Sequence, residues 1–281
     1  MKYHEYPPHS ILKDIVKCFW ILEADHPSES IQEVVPDGCV ELIFNFGSPY
    51  VLLTPTGSYS LPIASVVGFQ NKTLRFLVEG TVKVVAARLF AWGALAILKE
   101  DIQMFTHEVR AVGEGWDKLV QNLESQVRQG QYEQAATRLQ EYLIEGALIQ
   151  TYPLKHIHAA ARLLHYTQGQ YRIGELADYC HLSVRQLERG FRQAVGISPK
   201  ELARTLRFDR AKTRLMFDPD ADLTRLAQDC GYFDQAHFIK DFRAFAGKTP
   251  TEFVRQTREF REYLKSKDVV FLQSQLEQGD L

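Results

Sequence analysis

The sequence predicts a two-domain α+β protein. An N-terminal antiparallel β-barrel or sandwich with covering helices is expected over residues 1–151. An all-α domain of two helix-turn-helix units joined by a long helix is expected over 152–256, with 257–281 as a C-terminal extension. Three observations lead there: a hydrophobic period of two up to about Leu89, a period of three to four from Trp92 onward, and a repeat within the second half. At 281 residues, two cores are a more natural expectation than one.

In the front half, CFWIL, VELIFNF, YVLL, ASVVGF, LRFLVEG and VKVVAARL are short runs rich in Val, Ile, Leu and Phe. Pro36-Asp37-Gly38, Gly47-Ser48-Pro49 and Thr56-Gly57-Ser58 punctuate them, which suggests about six antiparallel strands. After Trp92 the apolar residues fall three and four apart, as in Leu119, Leu123 and Val127, then Ala135, Leu139 and Leu143. Such helices either cover the sheet or form a dimer seam. Tyr152-Pro153 is the expected boundary, because a residue before proline leaves helical geometry.

Charge divides unevenly between the halves. Residues 153–256 carry 17 Lys+Arg against 12 Asp+Glu, whereas the rest of the chain carries 16 against 23. An acidic front and a basic back suggest that the back alone meets a polyanion. No run approaches about 18 apolar residues, so no membrane span is expected. MKYHEYPPHS lacks the apolar core of a secretory signal. Cys18, Cys39, Cys180 and Cys230 lie far apart without a C-x-x-C pair, which speaks against zinc or disulfides and for a reducing cytoplasm.

The basic half repeats itself. Leu176, Ala177 and Cys180 recur fifty residues on as Leu226, Ala227 and Cys230. One added residue in the second copy then aligns Phe191, Arg192, Gly196, Pro199 and Glu201 with Phe242, Arg243, Gly247, Pro250 and Glu252. Each copy reads as a helix, a tight turn and a second helix. Ala177 and Ala227 permit close helix packing, and Gly231 suits a turn needing positive φ, where the first copy has His181. Ser183 with Gln186 fits a capping box, and Ser198-Pro199-x-Glu201 and Thr249-Pro250-x-Glu252 combine an N-cap, a first-turn proline and an acid.

The second helices, about 184–195 and 234–245, separate into faces. Val184, Leu187, Phe191 and Val195 form one apolar stripe and Phe238, Phe242 and Phe245 the other. Arg185, Gln186, Glu188, Arg189 and Arg192 are left outward in the first, and Gln235, His237, Lys240 and Arg243 in the second. An α-helix fits the major groove of DNA, where such side chains read base edges. Between the units, a helix from Pro199 to Phe217 carries Leu202, Leu206, Ala211 and Leu215 inward and stops at Asp218-Pro219. At ~1.5 Å per residue it spans roughly 28 Å. Two reading helices on such a spacer could enter successive major grooves about 34 Å apart.

Residues from about Lys155 to Gln256 resemble the AraC/XylS family of bacterial transcription regulators, most specifically through CGYFDQAHFIKDFRAFAGKTPTEF. The resemblance implies a seven-helix domain with two helix-turn-helix units. Carried over by position, it implies base contacts by Arg185, Glu188 and Arg189, and by Gln235, His237 and Lys240. His181 at the usual turn glycine and Ala236 at an often polar position depart from the pattern. The front half, with VVPDGCVELIFNFG, VVGF and a later W-G, resembles an uncharacterised domain that recurs ahead of such DNA-binding domains. The family's front domains sense small effectors or dimerise.

Glu41 and Asn45 within VELIFNF and Arg88 within VAARLF are the candidate effector contacts, an ion pair or outward-facing side chains being the alternative. His4, His9, His26 and His107 are scattered and His156-x-His158 lies in a helical pattern, so no metal site is expected. No G-x-S-x-G, H-E-x-x-H or phosphate-binding glycine loop occurs. The expectation is therefore a non-enzymatic, sequence-specific regulator without cofactor, cytoplasmic and nucleoid-associated when bound. Its partners would be double-stranded DNA, a small-molecule effector, RNA polymerase and a second copy of the chain, with no membrane. The alternatives are a DNA-binding protein without effector and a metal-dependent β-barrel enzyme fused to a DNA-binding domain.

Overall fold

The computed structural model describes residues 1–148 and 154–258. Tyr152-Pro153 and nearly all of the C-terminal extension lie outside the described residues. The front layer is one antiparallel sheet of eight strands: β1 (Lys2–Tyr6), β2 (Val16–Val34), β3 (Cys39–Asn45), β4 (Val51–Thr54), β5 (Gly57–Ser60), β6 (Ala64–Val67), β7 (Leu74–Phe90) and β8 (Val109–Ala111). The main path runs β1-β2-β7-β3-β6-β8, with β4 pairing β7 and β5 pairing β4. Among the described residues no ladder joins β1 to β8, so the sheet is open and the expected closed barrel is corrected to an open, bent sheet.

Two strands are far longer than the sequence suggested. LRFLVEG and VKVVAARL are one 17-residue strand that passes through Gly80 at φ 83. Opposite it, β2 runs 19 residues past a register shift between His26 and Ser30. Glycine accepts the left-handed conformation that this bend requires. The polar half of β2, through Glu29-Ser30-Ile31-Gln32-Glu33, has little strand propensity and is held by its ladder to β7, from Ser30↔Val78 to Val34↔Leu74.

Alternation along the strands gives the sheet two faces. Phe19, Ile21, Val40, Leu42, Phe44, Val85, Ala87 and Leu89 pack in one core with α1 (Ala94–Leu98), α2 (Asp117–Arg128) and α3 (Tyr132–Leu148). Leu119, Leu123 and Val127 of α2, and Ala135, Leu139 and Leu143 of α3, are buried there, so these stripes cover the sheet rather than serve a dimer seam.

Among the described residues seven further helices complete the fold: α4 (Lys155–Tyr166), α5 (Ile173–Tyr179), α6 (Val184–Val195), α7 (Pro199–Phe217), α8 (Leu223–Asp229), α9 (Gln235–Ala246) and α10 (Pro250–Gln256). The core of the sheet continues without a break into Ile157, Leu176, Leu187, Phe191, Leu202 and Leu206 of α4 to α7. Phe208, Leu215, Leu226, Phe238, Phe242, Phe245 and Phe253 form a second core around α9. The long helix α7 therefore contributes to both cores. Among the described residues no helix is long and apolar enough to cross a membrane.

Candidate nucleic-acid interface

Local chemistry builds each helix-turn-helix unit as the repeat suggests. In the first, Ala177 is buried between α5 and α6, and Ser183 caps α6 through a full capping box with Gln186. His181 makes the turn at φ 54, where the second unit has Gly231 at φ 76. A left-handed residue with a Cβ costs on the order of 1 kcal/mol. His181→Gly is accordingly expected to stabilise the chain by about 0.5 kcal/mol, after allowing for the freer unfolded glycine. A urea titration would read this as a higher midpoint at unchanged slope, and a lower midpoint would contradict it. The second unit has Asp234 as N-cap of α9, its side chain accepting from His237 N, and Thr249 with Glu252 forms a full capping box on α10.

The outward faces are as open as the periodicity implies, with local exceptions. Arg185, Gln186, Glu188, Arg189 and Arg192 are exposed on α6, and His237, Lys240 and Arg243 on α9. The side chains of Arg185, Arg189, Arg192 and Lys240 form no ion pair or hydrogen bond with another described residue. Gln186 is engaged at the cap: its Oε1 accepts from Ser183 N and from Ser183 Oγ, each at 2.9 Å. Gln235 is half-buried and accepts from Thr224 Oγ1 at 3.2 Å, and the His237 ring leans edge-on against Tyr232. Val184 departs from the expected buried stripe: it is 45% exposed, and Leu187, Gly190, Phe191, Ala194 and Val195 line the packed face instead. As the first residue of α6 it stands beyond the end of α5.

Several positioning residues escaped sequence reasoning. Asp241 sits on the inner face of α9 only 5% exposed, and Arg204 of α7 grips it with Nη2–Oδ1 at 2.7 Å and Nε–Oδ2 at 3.2 Å. That fork fixes α9 against the connector. Two threonines of the front layer cap the far ends of both outward helices. Thr106 Oγ1 donates to the Gly196 carbonyl at the end of α6 at 3.1 Å, and Thr73 donates from N and Oγ1 to the Phe245 carbonyl of α9 at 2.9 and 3.0 Å. Orphan carbonyls at a helix C-terminus require such donors. Glu201, expected to close a cap with Ser198, receives only the backbone half of it. Its carboxylate turns to His107 Nε2 at 3.1 Å, a bond that holds the Glu201 carboxyl below the usual range.

The candidate effector residues lie on the other face of the sheet. Glu41 and Arg88 are directly opposed across β3 and β7 and form an ion pair. Arg88 also faces Asp37 at 3.4 Å and Glu5 at 3.6 Å, while Trp20 Nε1 donates to Glu41 at 2.9 Å. Burial pushes the Glu41 carboxyl up despite the nearby guanidinium. Burial acts against ionised Asp37 too, but Arg88, Lys17 and Lys212 outweigh it and hold that carboxyl down. Asn45 is apart from this group. Its amide closes the turn after β3, donating to the Ser48 carbonyl at 2.7 Å and accepting from Gly47 N at 3.1 Å. Asp37 lies in the loop touching α7, where Lys212 donates to the Pro36 carbonyl at 3.3 Å. Among the described residues no group of three His, Cys, Asp or Glu side chains could hold a metal ion.

With this geometry in view, residues 176–256 match a family model described as a helix-turn-helix domain. The matched residues hold both units, α5 with α6 and α8 with α9. Residues 4–110, ahead of this helix-turn-helix domain, match a domain of unknown function, DUF6597. The HTH-type transcriptional activator RhaS of Escherichia fergusonii is 36% identical over 84 residues, which cover 30% of each chain. The Msm operon regulatory protein of Streptococcus mutans is 25% identical over 127 residues, covering 41% of this chain and 45% of that one. The chain thus spans less than half the length of these curated relatives. A solved structure of ToxT from Vibrio cholerae aligns with 91% of this chain and 98% of its own, at 9% identity and a TM-score of 0.48.

Proposed function

We propose that this chain is a sequence-specific DNA-binding transcription regulator that reads two successive major grooves with α6 and α9. The observation that carries the reading is the paired exposure. In both copies of one unit the apolar face is buried, while Arg185, Glu188, Arg189 and Arg192, and His237, Lys240 and Arg243, remain open to solvent. Gln186 and Gln235 contribute less directly, since their amides are engaged locally. The names of the matched relatives, an activator and an operon regulator, agree with this reading. The division into a front domain over 1–151 and a DNA-binding domain over 152–256 belongs to the same proposal, as do a cytoplasmic location, dimerisation and contact with RNA polymerase. In this reading the chain is not an enzyme.

The front domain would act as the sensor or dimerisation element. Glu41 and Arg88 are the proposed polar contacts of a small-molecule effector, and Asn45, first expected among them, holds the turn after β3. An effector drawing Arg88 away from Asp37 would disturb the loop against α7, and Thr73 and Thr106 tie the same layer to the ends of both reading helices. Its differential affinity for two arrangements of those helices would shift which sites can be bridged.

Selection of bound fragments from random double-stranded DNA, followed by anisotropy titration of a recovered fragment, tests the reading. Arg189→Ala is expected to weaken that fragment by about 1–3 kcal/mol and to relax preference at one position. An equal loss on scrambled DNA would assign Arg189 to phosphate, and recovery of no preferred sequence would end the proposal.

A further inference from the structure

The added residue of the second repeat is identifiable in the fold. Leu182 of the first unit and Tyr232 of the second both turn inward, and Ser183 and Asp234 are the corresponding N-caps. The residue without a counterpart is Phe233. It is 90% exposed, the most exposed of the large hydrophobic side chains among the described residues. It immediately precedes the cap of α9, and Ala236, also exposed, follows three residues later on that helix's first turn. A phenylalanine held in water beside the start of a helix that carries Lys240 and Arg243 contributes nothing to the core beneath it.

We infer that Phe233, with Ala236, reads thymine 5-methyl groups in the half-site of the second unit. This rests on the reading of α9 as a groove-reading helix. The major-groove edge of an A·T pair differs from the others in presenting a methyl group, and apolar side chains such as Phe and Ala recognise it. Lys240 and Arg243, exposed further along α9, supply positive charge that draws the helix to DNA, and the apolar tip meets the base edge. The first unit has no residue at the corresponding point, and its outward face is dominated by Arg185, Glu188, Arg189 and Arg192. The two half-sites are therefore unlike, with thymine methyls required under the second.

The test uses the full chain and a fragment recovered from random double-stranded DNA. Each thymine of that fragment is replaced in turn by deoxyuridine, which removes the methyl alone. One or two replacements in the second half-site are expected to weaken wild-type binding about fourfold each, the effect of one buried methyl. Phe233→Ala should bind the parent fragment about tenfold less tightly and should no longer distinguish thymine from deoxyuridine at those positions. Because the side chain is exposed, the variant should unfold at the wild-type temperature. Deoxyuridine costing both proteins alike, or Phe233→Ala binding the fragment as wild type does, overturns the inference while leaving the DNA-binding reading intact. Failure of the wild type to prefer any sequence overturns that reading itself.

Discussion

Replacing Arg88 with alanine is expected to destabilise the chain by about 3–5 kcal/mol, the range for removing one partner from a buried ionic group. Three carboxylates face that guanidinium, Glu41, Asp37 and Glu5, and Glu5 is 8% exposed with its Oε2 lacking any hydrogen bond. Without Arg88 these charges repel one another in a half-dry setting. The loss should depend on pH, with a sign that follows from Glu41. Its carboxyl is already raised by burial, so ionised Glu41 is less favoured in the folded chain than in the unfolded one. Removing the guanidinium raises it further. The variant's penalty should therefore be largest at neutral pH and shrink as pH falls through the raised value toward that of the unfolded chain. Asp37 works oppositely in the wild type: its carboxyl is held down, so its stabilisation is lost as pH falls through that depressed value. Chemical denaturation of both proteins at neutral and mildly acidic pH measures the difference, and a pH-independent penalty would contradict the account.

Phe242→Ala is expected to cost about 3–5 kcal/mol, the range for deleting a large aromatic side chain from a packed core. Phe242 is fully buried, with ring centroids 5.1 Å from Phe208, 5.6 Å from Phe238 and 5.5 Å from Phe253. Those rings join α9 to α7 and α10, so the void would open at the centre of the second core. The first unit shares its core with the sheet, and Phe242 has no place in it. Hydrogen exchange should consequently show protection lost in α8 to α10 and retained in α5 and α6. Uniform loss across both units would mean that the two cores unfold as one.

The helical half was largely legible in the sequence because its instructions are local. A capping box needs Ser183 and Gln186 three residues apart, a stop needs Asp218-Pro219, and a burial stripe needs only helical spacing. Each acts within one turn, and the duplication states the same instructions twice. Val184 shows the limit of that logic: spacing assigns it to the buried stripe, but as the first residue of α6 it is left 45% exposed. Phe233 shows another, since its exposure becomes apparent only when the two caps are superposed in the fold.

The sequence by itself determined the repeat, the caps, the connector from Pro199 to Phe217 and the division of charge, all carried by residues a few positions apart. Tertiary structure alone decided that Arg88 answers three carboxylates, that Arg204 reaches Asp241, and that Thr73 and Thr106 hold the far ends of α9 and α6. It also decided that the sheet stays open and that the polar end of β2 is a strand at all. The reason is range. A helix closes its hydrogen bonds within four residues, whereas a strand or a charge pair is satisfied by groups tens of residues away, whose position no local pattern specifies.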